Sequence, residues 1–187
     1  MVVASARAAG FRVVAIVDDA PARWGDQVLG VVVSGPTDAA LQDPDAAVVL
    51  AIGANPARRR LAQGARCQFI SIIHPSAILD ASVELGAGSV VFAGAIIQPG
   101  TVIGRHAIVN TAASIDHDCV LGEAVHVAPG ARLAGNVTLG DEVLIGIGAV
   151  VIPGVTIGAG TIVGAGAAVV DDLAAGIVAR GVPARPR

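Results

Sequence analysis

Tyrosine is absent from this 187-residue chain, and all aromatic residues together make up only 2% of it. A core built on aromatic rings is thereby excluded. Burial must come from the Val, Ile, Leu and Ala that dominate a composition 54% hydrophobic. Charge is scarce too: Asp, Glu, Lys and Arg supply 14% of residues and sum to −3, which disfavours a nucleic-acid or anionic-membrane surface. No secretory leader is evident. The apolar runs are short and broken by Gly or Pro, so none has the length of a membrane span. Cys67 and Cys119 have no metal-site spacing, and the pattern implies a reducing cytosol. With only four histidines, candidates for chemistry are few.

What the chain has instead is a period of six. Seventeen aliphatic residues fall at every sixth position from Ile73 to Val169 without a slip. Chance would give this on the order of once in 10^8. Neither a helix nor a strand has that period; it is the hexapeptide signature of a parallel β-helix. Four residues after each aliphatic residue, from Ser89 to Ala167, stands a small or β-branched residue, Cys119 among them. One large and one small inward position per hexapeptide suits a narrow three-sided prism, in which three hexapeptides make one coil. Glycines at 86, 104, 122, 140, 146, 158 and 164 follow the aliphatic position, where tight corners are expected to need permissive backbone.

Residues 1–72 have another rhythm. Continuous apolar runs at Val13–Val17 and Ala46–Ile52, with shorter ones at Val31–Val33 and Phe69–Ile73, alternate with helix-like pieces. Thr37 and Asn55 stand as candidate caps, with Pro56 in the first turn. Apolar strands alternating with helices indicate a small parallel α/β sheet, whose ligands sit at the carboxyl ends of its strands. Asp18, Asp19, Gly53 and Asn55 occupy those ends and become candidate substrate-binding residues. The chain opens directly in its first helix, and nothing before Val2 supplies the strand and Gly-rich turn that normally begin a nucleotide-binding half. Residues 73–187 form the solenoid with its tail.

His106, His117 and His126 occupy neither inward phase, so they face a corner or the outer surface. His117 lies between Asp116 and Asp118. A carboxylate against an imidazole fixes its tautomer and raises its basicity, which suits a general base near neutral pH. Gly135 follows His117 by one full coil and is expected to stack on it, leaving room for a substrate and an N–H for an oxyanion. Pro129, Ile147 and Ala165 are likewise one coil apart and form a smooth column for an extended ligand. His74 precedes Pro75 and reads as structural. Three histidines could bind zinc, but the wide spacings between His106, His117 and His126, with no fourth ligand, argue for no metal.

The stretch from Asn110 through Ser114-Ile115-Asp116-His117-Asp118-Cys119, then Gly122-Glu123, His126-Val127 and Ala134-Gly135-Asn136-Val137, closely resembles the sugar O-/N-acyltransferases of the bacillosamine and perosamine type, which include sialic acid O-acetyltransferase-like proteins. Val17-Asp18-Asp19, Ala51-Ile52-Gly53-Ala54-Asn55 with Arg58, and the tail Gly181-Val182-Pro183-Ala184-Arg185 resemble the same family. The resemblance covers essentially the whole chain. It implies a left-handed β-helix preceded by a Rossmann-like α/β domain that lacks its first strand and Gly-rich loop, assembled as a cytoplasmic homotrimer. It implies acetyl-CoA in the groove between prisms, and a UDP- or GDP-linked amino sugar held by residues 1–72. His117 would deprotonate the acceptor, Asp118 would orient it, and Asn110 would shape the site. Many relatives carry Glu at the position of Asp118. His126, Gly135, Ile147, Ala165 and Arg185 would serve the CoA site, and Asp18, Asp19, Gly53, Asn55 and Arg58 the sugar nucleotide. Sugar O-acetylation and a non-catalytic trimeric scaffold are the alternatives.

Overall fold

The computed structural model describes residues 1–187. Every hexapeptide of the solenoid folds alike. Around Val127, the pair His126–Val127 is extended, Pro129-Gly130 turn the corner, and Ala131 points inward again. Strands stack in parallel on those one coil away, with Ile108 opposite His126 and Val109 opposite Val127. The result is a prism of about seven turns. Seven parallel strands form its first face, closed by the antiparallel Arg185–Pro186. Six form the second face and five the third.

The two inward phases fill the prism as the pattern requires. Every aliphatic position from Val91 to Val169 is at most 3% exposed, and the small phase from Ser89 to Ala167 at most 4%. Each fully buried Val, Ile or Leu contributes roughly 1.5–3 kcal/mol. The lowest coil departs from the pattern. Ile73 is 40% exposed because no coil lies beneath it, whereas Ile72 is buried against the first helix.

The glycines answer a different constraint from the expected one. It is the second corner residue that adopts left-handed backbone, as in Gly130 (φ +66°), Ala112 (+54°) and Asp118 (+56°). The glycines after the aliphatic position lie outside that region. A Cβ at Gly104 would stand 2.6 Å from the carbonyl carbon of Gly122 in the next coil, and one at Gly146 would stand 2.6 Å from the Ala165 nitrogen. They are glycines because adjacent coils approach each other there.

Three helices precede the prism: α1 (Val2–Ala8), α2 (Asp38–Leu41) and α3 (Asn55–Ala62). None is long and apolar enough to cross a membrane. The expected single parallel sheet is present as separate pieces. Ala47–Val48 pairs in parallel with Gln68–Phe69, Ile16 bridges Val33 in parallel, and Gln27–Val28 makes an antiparallel hairpin with Val31–Val32. Neither expected cap forms. The Thr37 hydroxyl donates to Asp19 instead, and Asn55 is the first residue of α3, its side chain turned toward the prism. Ala6 of α1 shares an apolar cluster with Ile72, Val90, Phe92 and Ile108, so residues 1–72 pack on the first face.

Gly104→Ala is expected to lower stability by roughly 1–3 kcal/mol, the usual cost of overpacking. Gly148→Ala, whose Cβ meets open space at φ +64°, should cost only the left-handed backbone strain of about 1–2 kcal/mol. Denaturant unfolding of both checks this; an unchanged midpoint for Gly104→Ala would contradict the close-approach account.

Candidate active site

The corner joining the second and third faces carries the one histidine with a free ring nitrogen and a carboxylate partner. His117 Nδ1 meets Asp118 Oδ2 at 2.9 Å, and both side chains are exposed. The corner explains the pairing. Asp118 is the left-handed residue of its turn, a conformation in which Asp is enriched. Two glycines make room for the pair. A Cβ at Gly135, in the next coil, would stand 2.5 Å from His117 Nε2; one at Gly100, in the previous coil, would stand 2.5 Å from Asp118 Oδ1. This corrects the expectation for Gly135, whose vacated space is filled by the imidazole itself. Gly100 was missed, although a step of one coil back from Asp118 points to it. The Asp118 hydrogen bond holds His117 above its ordinary pKa, with the Asp116 and Asp118 charges acting in the same sense.

None of the other histidines pairs with a carboxylate, and His106 Nδ1 is buried without a hydrogen-bond partner. His74 Nδ1 is bound to Ser76. His106 is 4% exposed, packs edge-on to Phe69 with ring centroids 4.5 Å apart, and is pushed down to about 4 by burial and by the Arg105 and Arg58 charges. His126 Nε2 lies 3.0 Å from Asn110 Nδ2. Thr111 N–H donates to Asn110 Oδ1, which turns the amide NH2 toward His126 and assigns the lone pair to Nε2. Burial, reinforced by Arg58 and opposed by the Gly53 backbone, holds His126 below its ordinary value.

Asn110 and His126 face a mostly apolar pocket of about 130 Å³ between the first face and residues 1–72, with Gly53, Leu50 and Phe92 also in its wall. Gly53 is thus brought to the prism as its strand-end position suggested. Asn110 is not brought to His117: the two stand at opposite ends of the second face within one coil. The column Pro129, Ile147 and Ala165 runs along the corner between first and second faces, linked by Gly148 N–H to Pro129 O and Gly166 N–H to Ile147 O. Ile147 is 61% exposed. Side chains no longer than Ile, and open space at Gly130, Gly148 and Gly166, leave a smooth wall that fits an extended ligand. Arg185 is exposed at the tail and paired with Asp171 at 2.9 Å.

The expectation that Asn55 and Arg58 face a ligand is corrected. Both are buried against the corner between third and first faces, their polar atoms spent on backbone oxygens and on each other. Asp18 accepts from Ala20 N–H and pairs with Arg23 at 2.7 Å; Asp19 accepts from Thr37 N–H and hydroxyl, which holds its carboxyl below the ordinary range. They brace the loops beyond Val17 and do not line the Gly53 pocket. No group of three or more His, Cys, Asp and Glu side chains is arranged to hold a metal ion.

Residues 136–170 match the bacterial transferase hexapeptide family (six repeats). No curated protein sequence matches the chain. Among solved structures, perosamine N-acetyltransferase from Caulobacter crescentus, in a variant bound to CoA and GDP-perosamine, is 46% identical over 100% of this chain and 90% of that one, with a TM-score of 0.93. The acetyltransferase domain of PglB from Neisseria gonorrhoeae, in complex with acetyl coenzyme A, is 38% identical over 98% and 91% of the two chains, with a TM-score of 0.91. WeeI from Acinetobacter baumannii is 30% identical over 92% and 85%, with a TM-score of 0.83.

Since Asp118 raises the His117 pKa, the ring loses its proton at higher pH than a free imidazole. Asp118→Asn should therefore move the His117 titration midpoint, followed by NMR, to lower pH. A midpoint that stays or rises would contradict the pairing.

Proposed function

The chain belongs to the hexapeptide-repeat sugar acyltransferases, and we propose that His117 is the general base with which it acetylates the amino group of a nucleotide-linked amino sugar from acetyl-CoA. The observation that carries the assignment is the dyad: Nδ1 of His117 is engaged by Asp118, and Nε2 is left with its lone pair at an exposed corner. Nε2 takes the proton that the acceptor amine loses as its nitrogen attacks the thioester carbonyl. A C–N bond forms, the C–S bond breaks, and the imidazolium returns the proton to the leaving thiolate. Asp118 steadies the imidazolium meanwhile. The match to relatives solved with CoA, acetyl-CoA and GDP-perosamine supports both substrate classes. GDP-perosamine is accordingly the acceptor of choice for assay.

We read the solenoid as left-handed, residues 1–72 as a Rossmann-like unit holding the sugar nucleotide near Gly53, and residues 73–187 as the acyltransferase unit. The working form is read as a cytoplasmic homotrimer. The uncovered apolar side chains Ile78, Val150 and Ile152 along the second face support an interface between copies. So does the separation of His117 from Asn110 and His126, which an adjacent prism would repair. In that groove the Pro129–Ile147–Ala165 wall would carry the CoA arm, with Arg185 near its end.

His117→Ala should cost roughly 10^2–10^4-fold in acetyl transfer, the usual worth of a general base. Its melting temperature should hold, because the side chain is 53% exposed. Turnover with GDP-perosamine within about threefold of wild type would contradict the assignment.

A further inference from the structure

Arg58 is a fully buried cation that no step of the reaction uses. No carboxylate touches it. Its Nε donates to His106 O at 2.7 Å; its Nη2 donates to Ala124 O at 2.7 Å, Val125 O at 3.3 Å and Asn55 Oδ1 at 2.9 Å. Asn55 Nδ2 carries the grip onward to Glu142 O at 3.0 Å and Val143 O at 3.1 Å. His106, Ala124 and Glu142 are the left-handed corner residues of three successive coils, stacked one above another. The Arg58–Asn55 pair therefore reads three rungs of the prism at once.

The remaining arm of the guanidinium points the other way. Nη1 donates to Ile52 O at 2.8 Å and reaches Gly53 O at 3.4 Å. Ile52 and Gly53 form the wall of the pocket that also holds Asn110 and His126, and the Gly53 carbonyl bears on the His126 ring. Simple attachment of α3 does not require this arrangement. Arg59 already ties the helix to Glu123, Asp141 and Glu142 at 3.6, 2.8 and 3.0 Å, and the apolar cluster around Ala6 holds the first face.

We propose that Arg58 is a positioning residue: it sets the Ile52–Asn55 turn in register with the His126–Asn110 pair, so that an acceptor held at that turn is presented to the prism in one geometry. The proposal rests on the acetyltransfer reading above. The Arg58 charge also acts against protonation of His126, in keeping with Nε2 accepting from Asn110.

The test is Arg58→Met and Arg58→Lys in the full chain, with GDP-perosamine and acetyl-CoA varied in turn and amide exchange followed at residues 50–55. For Arg58→Met, the acceptor KM should rise at least about tenfold and the acetyl-CoA KM stay within about threefold. Exchange at residues 52–55 should quicken while the coils from 127 onward stay protected, and Lys, which lacks the fork, should recover only part of either effect. Equal changes in both KM values, or an acceptor KM and exchange both near wild type, would overturn the proposal, as would faster exchange with an unchanged acceptor KM. Should wild type transfer no acetyl group, the functional reading fails, and the exchange arm alone still decides whether Arg58 fastens the turn. If Arg58→Met does not fold, Asn55→Ala removes the third rung of the grip and is read in the same two assays.

Discussion

Each coil of three hexapeptides is hydrogen-bonded in register to the next, and this is the constraint on which the rest depends. Because Val109 must lie beside Val127 and Ile115 beside Leu133, each side chain meets its counterpart one coil away. The interior can then be filled only by a strict alternation of one larger and one smaller residue. Adjacent coils come so close at Gly104 and Gly146 that a methyl group has no room. The same stacking builds the site: Gly135 fits over His117, Gly100 under Asp118, and three corner carbonyls line up for Arg58 and Asn55.

Chemistry falls where the core does not. A corner position points outward and can be changed without altering the inward phases, so His117 and Asp118 sit on the prism at little structural cost. Position then tunes chemistry. His106, also at a corner, is covered by residues 1–72 and driven neutral, whereas His117 stays in solvent beside a carboxylate and becomes more basic. In the single chain the dyad at one corner stands apart from the Asn110–His126–Gly53 pocket on the first face, and the proposed acetyl transfer that uses both would need a second prism between them.

The prism was legible because its signal repeats: seventeen aliphatic positions at one spacing fit neither a helix nor an ordinary strand. The dyad was legible because its partners are sequence neighbours, and the Gly135 contact because it is one coil away. What the sequence hid has no period. Arg58 and Asn55 sit in a motif that the resemblance assigned to substrate, yet their hydrogen bonds to the prism run 48 to 88 residues along the chain to backbone oxygens, which no side-chain pattern announces. The hairpin at residues 27–32 was likewise obscured, because a continuous apolar run does not distinguish parallel from antiparallel pairing.

In the proposed working site, His117 of one copy meets the Asn110–His126 pair of another. Mixing Asn110→Ala with His117→Ala protein, each expected to be strongly impaired alone, tests this directly once subunits have been exchanged by reversible denaturation. In randomly mixed cyclic trimers, about a quarter of the junctions would hold both intact halves, so acetyl transfer should return to roughly a quarter of the wild-type rate. Mixtures that exchange subunits and stay as impaired as their components would place the whole site within one chain and contradict the shared site.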